Sequence, residues 1–290
     1  MRDPRTLLAG LSVVLTWASA FPAIRVAAPG LGVAGLSAAR LAIAAAALLA
    51  VAPFAGIRLP RGRDLPLIAA CGLFGMTAYQ LLLNWGELTV PAGTSSIIVA
   101  CAPLVSVAIA VLFLRDRLTL VRCVGTVIAL VGVAVVCLAR TGPALSHAAW
   151  IVVAAAVVQG VYHPMIKPLL RRYSGTEVAA YGMIAGSAMT LPFVPFGWSQ
   201  AAHAGAGPWL AALYLGLVPS ALGFVLWGYA VARLPVSAST SLLYLVPAAA
   251  VAIAFVWLGE VPVPSEIVGG LISAVGVVLV GVAPKRGASA

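Results

Sequence analysis

Four apolar stretches of the chain carry polar and aromatic side chains at helical spacing. Ser12, Thr16 and Ser19 recur at i, i+4 and i+7 with Trp17 beside them, and Gln80, Asn84 and Glu87 repeat that spacing with Tyr79 adjoining. Gln159, Tyr162 and His163 fall at i, i+3 and i+4, and Thr240, Tyr244 and Pro247 form a fourth stripe. Residues so spaced share one face of a helix. The chemistry they offer is recognition: aromatic rings supply contact area and attract cations, and amides orient a ligand through a few hydrogen bonds. Thr16, Trp17, Tyr79, Gln80, Asn84, Gln159, Tyr162, His163 and Tyr244, with Trp227 as a further aromatic, are therefore the candidate substrate-binding residues. They suit an uncharged or zwitterionic solute with some apolar surface.

Each has a plainer use to set against this one. Serine and threonine in membrane helices commonly bond back to their own backbone. Gln80, Asn84 and Gln159 could equally tie helices together. Tyr and Trp often mark the membrane interface, whereas Trp17, Tyr79 and Tyr244 lie near the centres of their stretches. His163 is read as the one titratable side chain well inside a stretch, available for a proton-linked step or for the carbonyl loosened by Pro164. Glu87 and Arg40 are read as pairing or snorkelling near the outer ends of theirs. With no carboxylate in mid-stretch, exchange of lipophilic cations for protons is disfavoured. His147, His163 and His203 do not make a catalytic set, and Cys71, Cys101, Cys123 and Cys137 lack ligand spacing. No metal, no cofactor and no enzymatic activity are expected.

The elements that must hold these residues are membrane helices. A chain 63% hydrophobic and 8% charged has too little polar surface to cover a soluble globule. Stretches long enough to cross a bilayer lie at about 7–27, 33–56, 66–86, 94–114, 119–139, 147–167, 176–198, 208–232, 238–258 and 264–283. The first begins behind Arg2 and Arg5 like a secretion signal, yet runs on to Pro22 and recurs later in the chain. The net charge of +10 is a topology signal and not a nucleic-acid footprint. With the N-terminus inside, the outer side receives only Arg25, Arg40 and Arg140 of the 17 basic residues, which predicts both termini in the cytoplasm. Fifteen arginines against two lysines, with abundant Ala and Gly, point to a GC-rich bacterium.

A shift of 144 residues lays Pro91 on Pro235, Ser95 on Ser239, Pro103 on Pro247, Asp116 on Glu260, Gly125 on Gly269 and Gly132 on Gly276. A shift of 142 lays Pro22-Ala23-Ile24-Arg25 on Pro164-Met165-Ile166-Lys167, and Pro53-Phe54 on Pro195-Phe196. The chain reads as two copies of one unit, residues 1–142 and 143–290. Units with an odd number of crossings sit in opposite orientations, as in many alternating-access transporters. The matched prolines Pro22, Pro103, Pro164 and Pro247 are candidate hinges, since a proline inside a span frees a carbonyl and bends the helix. Gly125 and Gly132, like Gly269 and Gly276, sit seven apart on one face, for close packing within one chain or between two chains of a homodimer.

Thr16-Trp17 with Phe21-Pro22-Ala23-Ile24-Arg25, then Arg40, then Thr94 through Pro103 to Leu114-Arg115-Asp116-Arg117-Leu118 and Gly125, resemble the EamA-type transporters of the drug/metabolite superfamily. Ser239 through Pro247 to Leu258-Gly259-Glu260 and Gly269 is similar to the same pattern; Asp116 departs from it by standing where the family's first unit has Glu. The resemblance implies an all-α integral membrane protein of ten transmembrane helices, built as two inverted five-helix repeats around a central cavity. It also implies export or exchange of small metabolites across a bacterial cytoplasmic membrane. Read with the polar stripes, it predicts a multi-pass transporter of amino-acid-like or similar small solutes, whose partners are a small-molecule substrate and the lipid bilayer. The alternatives are a proton-coupled multidrug exporter and a structural or sensory membrane protein without a transport path.

Overall fold

The computed structural model describes residues 4–114, 120–138, 143–233, 243 and 245–282, and its regular elements among them are all helical. Long apolar runs without water must satisfy every backbone polar group internally, and helices do so within one segment. Helix α1 (Pro4–Ala18) stops at Ser19, and α2 (Ala20–Ala55) starts at once. Pro22 stands in the first turn of α2, where its missing N–H would have had no helical partner. A loop expected between spans 7–27 and 33–56 is absent: α2 turns at Gly32, with φ 69°, so Leu8–Ala55 forms one bent stretch of 48 residues. Glycine is required there by its left-handed backbone, and because a Cβ would lie 2.6 Å from the Gln200 Oε1. The Gln200 amide donates to the Pro29 carbonyl at 2.9 Å and fastens the turn.

Helix α3 (Leu65–Cys71) continues through a π-helical segment, Gly72–Ala78, into α4 (Tyr79–Gly86). Helices α5 (Ala92–Val99) and α6 (Ala102–Leu114) are separated at Ala100 and Cys101, just before Pro103. Next come α7 (Leu120–Leu138), α8 (Pro143–Leu170), α9 (Gly175–Thr190) and α10 (Val194–Ala202). Helix α11 (Ala206–Leu215) leads through a second π segment, Gly216–Leu222, into α12 (Gly223–Arg233). Helix α13 (Val246–Leu258) has Pro247 in its first turn, and α14 (Pro264–Val282) follows. Pro164 differs from the other three matched prolines in lying inside an uninterrupted helix, α8.

Five stretches among the described residues are long and apolar enough to cross a membrane: Leu8–Ala55, Gly62–Gly86, His147–Leu170, Gly175–Ala202 and Ala206–Ala230; shorter apolar helices accompany them. Leu15, Phe54, Leu130, Trp150, Phe196, Val256 and Leu271 are exposed on the bundle surface. In water such a surface would aggregate; in hydrocarbon it is solvated.

Packing puts α2 against α9, α10, α11 and the second π segment, α1 against α12 and α13, and α8 against α4 and α6. Helices α7 and α14 pack on each other along their glycine faces: a Cβ on Gly132 would lie 2.3 Å from the Ser273 nitrogen, and one on Gly276 2.3 Å from the Ala129 nitrogen. Both glycine stripes are thus used within one chain.

Ion pairs gather where segments join. Arg58, just past α2, bonds the Glu177 carboxylate at 2.7 and 3.1 Å, which holds its guanidinium above its ordinary pKa. Arg172 and the Tyr173 hydroxyl both bond Asp64. Gly32 and Arg58 bracket some 24 helical residues, about 36 Å at 1.5 Å per residue, so a second cluster near Gly32 lies at the other end of the bundle. There the Arg25 Nε pairs with Glu260 at 3.3 Å, and its Nη1 donates to the carbonyls of Glu87 and Leu88.

Candidate functional site

Where the broken helices meet, the bundle holds a cavity with about 730 Å³ of empty space, counting solvent at its opening. Trp17, Ala20 and Phe21 line it from either side of the Ser19 break, and Ser96, Val99, Ala100 and Pro103 from around the break between α5 and α6. Tyr79 and Leu83 of α4, Gln159 and His163 of α8, Phe224 of α12, Arg40 of α2, and Leu243 and Val246 complete the wall. The walls are mainly apolar with a few polar groups, the character of small-molecule sites.

Local sequence explains these positions. Ser19 stops α1 by turning its hydroxyl onto the Thr16 carbonyl at 3.0 Å and meeting the Tyr214 hydroxyl at 2.6 Å. Beside this break the Trp17 indole donates to the Pro219 carbonyl at 3.1 Å. Pro219 belongs to the second π segment, where the wider turn releases backbone acceptors from the α-helical ladder. Gly223 gives the indole room: a Cβ there would lie 2.8 Å from the Trp17 Nε1. Across the cavity the Ser106 hydroxyl donates to the Gly160 carbonyl at 2.7 Å, and a Cβ on Gly160 would lie 2.5 Å from the Ala102 carbonyl oxygen. This glycine lets α8 approach the break in the α5–α6 wall closely and presents Gln159 beside it.

Of the residues selected by spacing, Trp17, Tyr79, Gln159 and His163 line this cavity. Thr16 does not: its hydroxyl bonds back to the Val13 carbonyl at 3.0 Å. Gln80 and Asn84 are fully buried ties between helices, Gln80 accepting from Arg40 at 2.8 Å and Asn84 donating to Ser37 at 2.9 Å. Tyr162 packs over Gly75, and with Trp227 it lines a smaller cleft behind Phe224. The rings still form one group, with Trp17 at 5.3 Å from Phe224 and 5.4 Å from Trp227, and Tyr162 at 6.4 Å from Phe224. Tyr244 lies outside the described residues, as do Thr240 and Asp116.

One charged residue is not where the sequence reading puts it, and another keeps its place at the end of its helix without the ion pair expected of it. Arg40 does not snorkel to the outer boundary. It is 4% exposed, with its Nε donating to the Ser220 hydroxyl at 2.8 Å and its Nη1 to the Gln80 Oε1 at 2.8 Å. It stands eight residues past the turn at Gly32, about 12 Å along the helix and so about a third of the way from that turn to Arg58. Glu87 is wholly buried, and neither carboxylate oxygen has a hydrogen-bond partner among the described residues; Arg25 holds its backbone carbonyl and gives its ion pair to Glu260. His163 is therefore not alone among ionisable groups inside the bundle. The signal that could have identified Arg40 was its place seven residues into an expected span, farther from the boundary than a solvated arginine needs to be.

Comparison with known proteins agrees with this architecture. The EamA-like transporter family matches the chain twice, over residues 4–138 and 146–282. A probable terminal-alkyne amino-acid exporter of Streptantibioticus cattleyicolor is 52% identical over 97% of this chain and 94% of its own length. An uncharacterized transporter of Bacillus subtilis is 31% identical over 90% of this chain and 86% of its own. A crystal structure only 19% identical in sequence matches with a TM-score of 0.67, over 98% of this chain and all of the other, a likeness of fold.

Proposed function

The chain belongs to the EamA-like transporter family, and on that premise we propose that it exports amino-acid-like zwitterions from the bacterial cytoplasm by alternating access through the cavity at Trp17. It is a multi-pass cell-membrane protein of a transporter family, so its business is small-metabolite transport. The observation that carries the substrate class is the lining: aromatic faces from Trp17, Phe21, Tyr79 and Phe224 beside the amide of Gln159. The probable terminal-alkyne amino-acid exporter at 52% identity supports the same class. No chemical step is required of these residues, and the protein is read as a non-enzyme with no nucleic-acid partner.

The finer architecture belongs to this proposal. Ten helices in two inverted units, residues 1–142 and 143–290 with both termini inside, are supported by the basic-residue asymmetry and by the packing. Under exchange of the units, the contact of α1 with α12 becomes that of α8 with α4, and α7 with α14 returns to itself. The breaks near Pro22, Pro103 and Pro247 surround the cavity and suit bending there; at Pro164 the motion would be carried by the helix as a whole. The Arg25–Glu260 pair then acts as an outer latch, joining α2 to the segment before α14. The glycine faces of α7 and α14 are occupied by each other, so a homodimer would have to use another surface.

The test is efflux from cells. Bacteria expressing the chain and loaded with dipeptides should release apolar amino acids faster than cells expressing Trp17→Ala at equal membrane abundance. Equal release from both would sink the reading.

A further inference from the structure

The exported-zwitterion reading leaves Arg40 without a task, and its surroundings give it one. The guanidinium is buried inside the bundle, and its hydrogen-bond partners, Ser220 and Gln80, are neutral. A cation there is costly to bury and calls for an anion. Glu87 acts on it only through space and not as a bonded partner: it lies seven residues beyond Gln80, about 10 Å along the helix, and its carboxylate makes no hydrogen bond among the described residues. Of the Arg40 nitrogens, Nε and Nη1 are engaged and Nη2 makes no hydrogen bond among the described residues, while the side chain lines the cavity. Gln80 and Ser220 thus orient the fork and leave one edge for a ligand.

The opposite polarity is available on the same cavity. Gln159 is 6% exposed, and its Oε1 is buried without a hydrogen-bond partner among the described residues. An orphaned acceptor in a dry site is costly until a donor arrives. Of the other polar side chains, the Ser96 hydroxyl is spent on the Gly93 carbonyl and the Trp17 indole on Pro219, while Tyr79 and His163 also line the cavity and offer further polar atoms there. One cavity therefore presents an unsatisfied cationic donor and an unsatisfied acceptor between aromatic walls.

We propose that Arg40 and Gln159 are the two poles of an α-amino-acid site, in which the Arg40 Nη2 donates to the substrate carboxylate and the Gln159 Oε1 accepts from its ammonium. This rests on the zwitterion reading above and narrows it: the substrate must carry a free carboxylate and a free ammonium, while its side chain lies against Trp17 and Phe224 and is read only by size and apolarity. Ser220 and Gln80 are positioning residues that hold the guanidinium.

The experiment is competition for exchange of a labelled apolar L-amino acid in proteoliposomes holding the full chain. Three analogues compete: the primary carboxamide, the decarboxylated amine and the N-acetyl derivative. In the wild type each should compete at least about 30-fold less well than the parent, the ratio expected for losing one charge-assisted contact. Arg40→Gln should abolish discrimination against the carboxamide and the amine while keeping it against the N-acetyl compound; Gln159→Leu should do the reverse, and Arg40→Lys should restore part of the lost ratio. The wild-type ratios stand even if a variant fails to fold. Amino acids that exchange but are equalled by their carboxamides, or a folded Arg40→Gln that discriminates like the wild type, would overturn this inference alone. A wild type that exchanges no amino acid would overturn the zwitterion reading and this inference with it.

Discussion

The two π-helical segments sit 144 residues apart, Gly72–Ala78 and Gly216–Leu222, and the same backbone event serves different ends. Both open on a glycine that lets a neighbour approach: a Cβ on Gly72 would lie 2.7 Å from the Ala185 Cβ, and one on Gly216 2.6 Å from the Ile43 Cγ2. Under the registers of 142 and 144 these are one contact made twice, since Ile43 falls on Ala185. The next position separates them. Ser220 receives Arg40 at 2.8 Å; its counterpart Met76 packs its side chain over Gly182, the residue on which Arg40 falls. A cation and a hydroxyl in one half are replaced in the other by a thioether filling the space a glycine leaves. The family matches the chain twice, and substitution at two matched positions gives a polar contact in one place and apolar packing in the other.

The largest test of that contrast converts one region into the other. Arg40→Gly with Ser220→Met reproduces the packing pair and should leave the protein folded, with transport of amino acids reduced on the order of a hundredfold as a charged anchor is lost. Gel filtration in detergent and proteoliposome flux read the two effects separately. The converse variant, Met76→Ala, empties a fully buried site and should cost about 2–5 kcal/mol of stability while flux per folded molecule stays unchanged. If Met76→Ala impaired flux as severely as the first variant, the division between site and packing would be wrong.

Smaller changes sharpen the same division. Trp17→Phe keeps an aromatic ring and removes the bond to Pro219, and should raise the half-saturating substrate concentration several-fold, as about 1 kcal/mol of orienting energy is lost. Glu260→Gln removes a partly exposed ion pair to Arg25 and should shift thermal stability by no more than about 1 kcal/mol, while altering the balance between outward-open and outward-closed forms, read by cysteine accessibility at the outer end. An accessibility pattern unchanged from the wild type would remove the latch from the account.

Helical spacing picks out a face of each helix and cannot tell which side chain on or beside it reaches the cavity. Trp17, Tyr79, Gln159 and His163 carry no sign in the sequence that separates them from Gln80 and Asn84, yet the latter pair bond to Arg40 and Ser37 of α2. Arg40 was hidden by the way topology is read from charge: counting each Lys and Arg toward a loop assigns a buried cation to the nearest boundary. Phe224 is one apolar residue in an apolar run, and its place in the wall follows only from the packing of α12 on α1. The π segments have no composition of their own beyond their glycines and Pro219, because they arise from the fit of neighbouring helices. The glycine stripes were legible because backbone approach leaves its mark in residue type, and Gly132 and Gly276 pack as such stripes do.

The central claim, that the cavity at Trp17 passes amino-acid zwitterions, is tested most directly by counterflow. Proteoliposomes preloaded with an unlabelled apolar L-amino acid should take up the labelled compound in a saturable manner, faster than without preloading, and at least about tenfold faster than vesicles holding folded Trp17→Ala. Uptake no greater than in protein-free vesicles, for every amino acid tried, would contradict it.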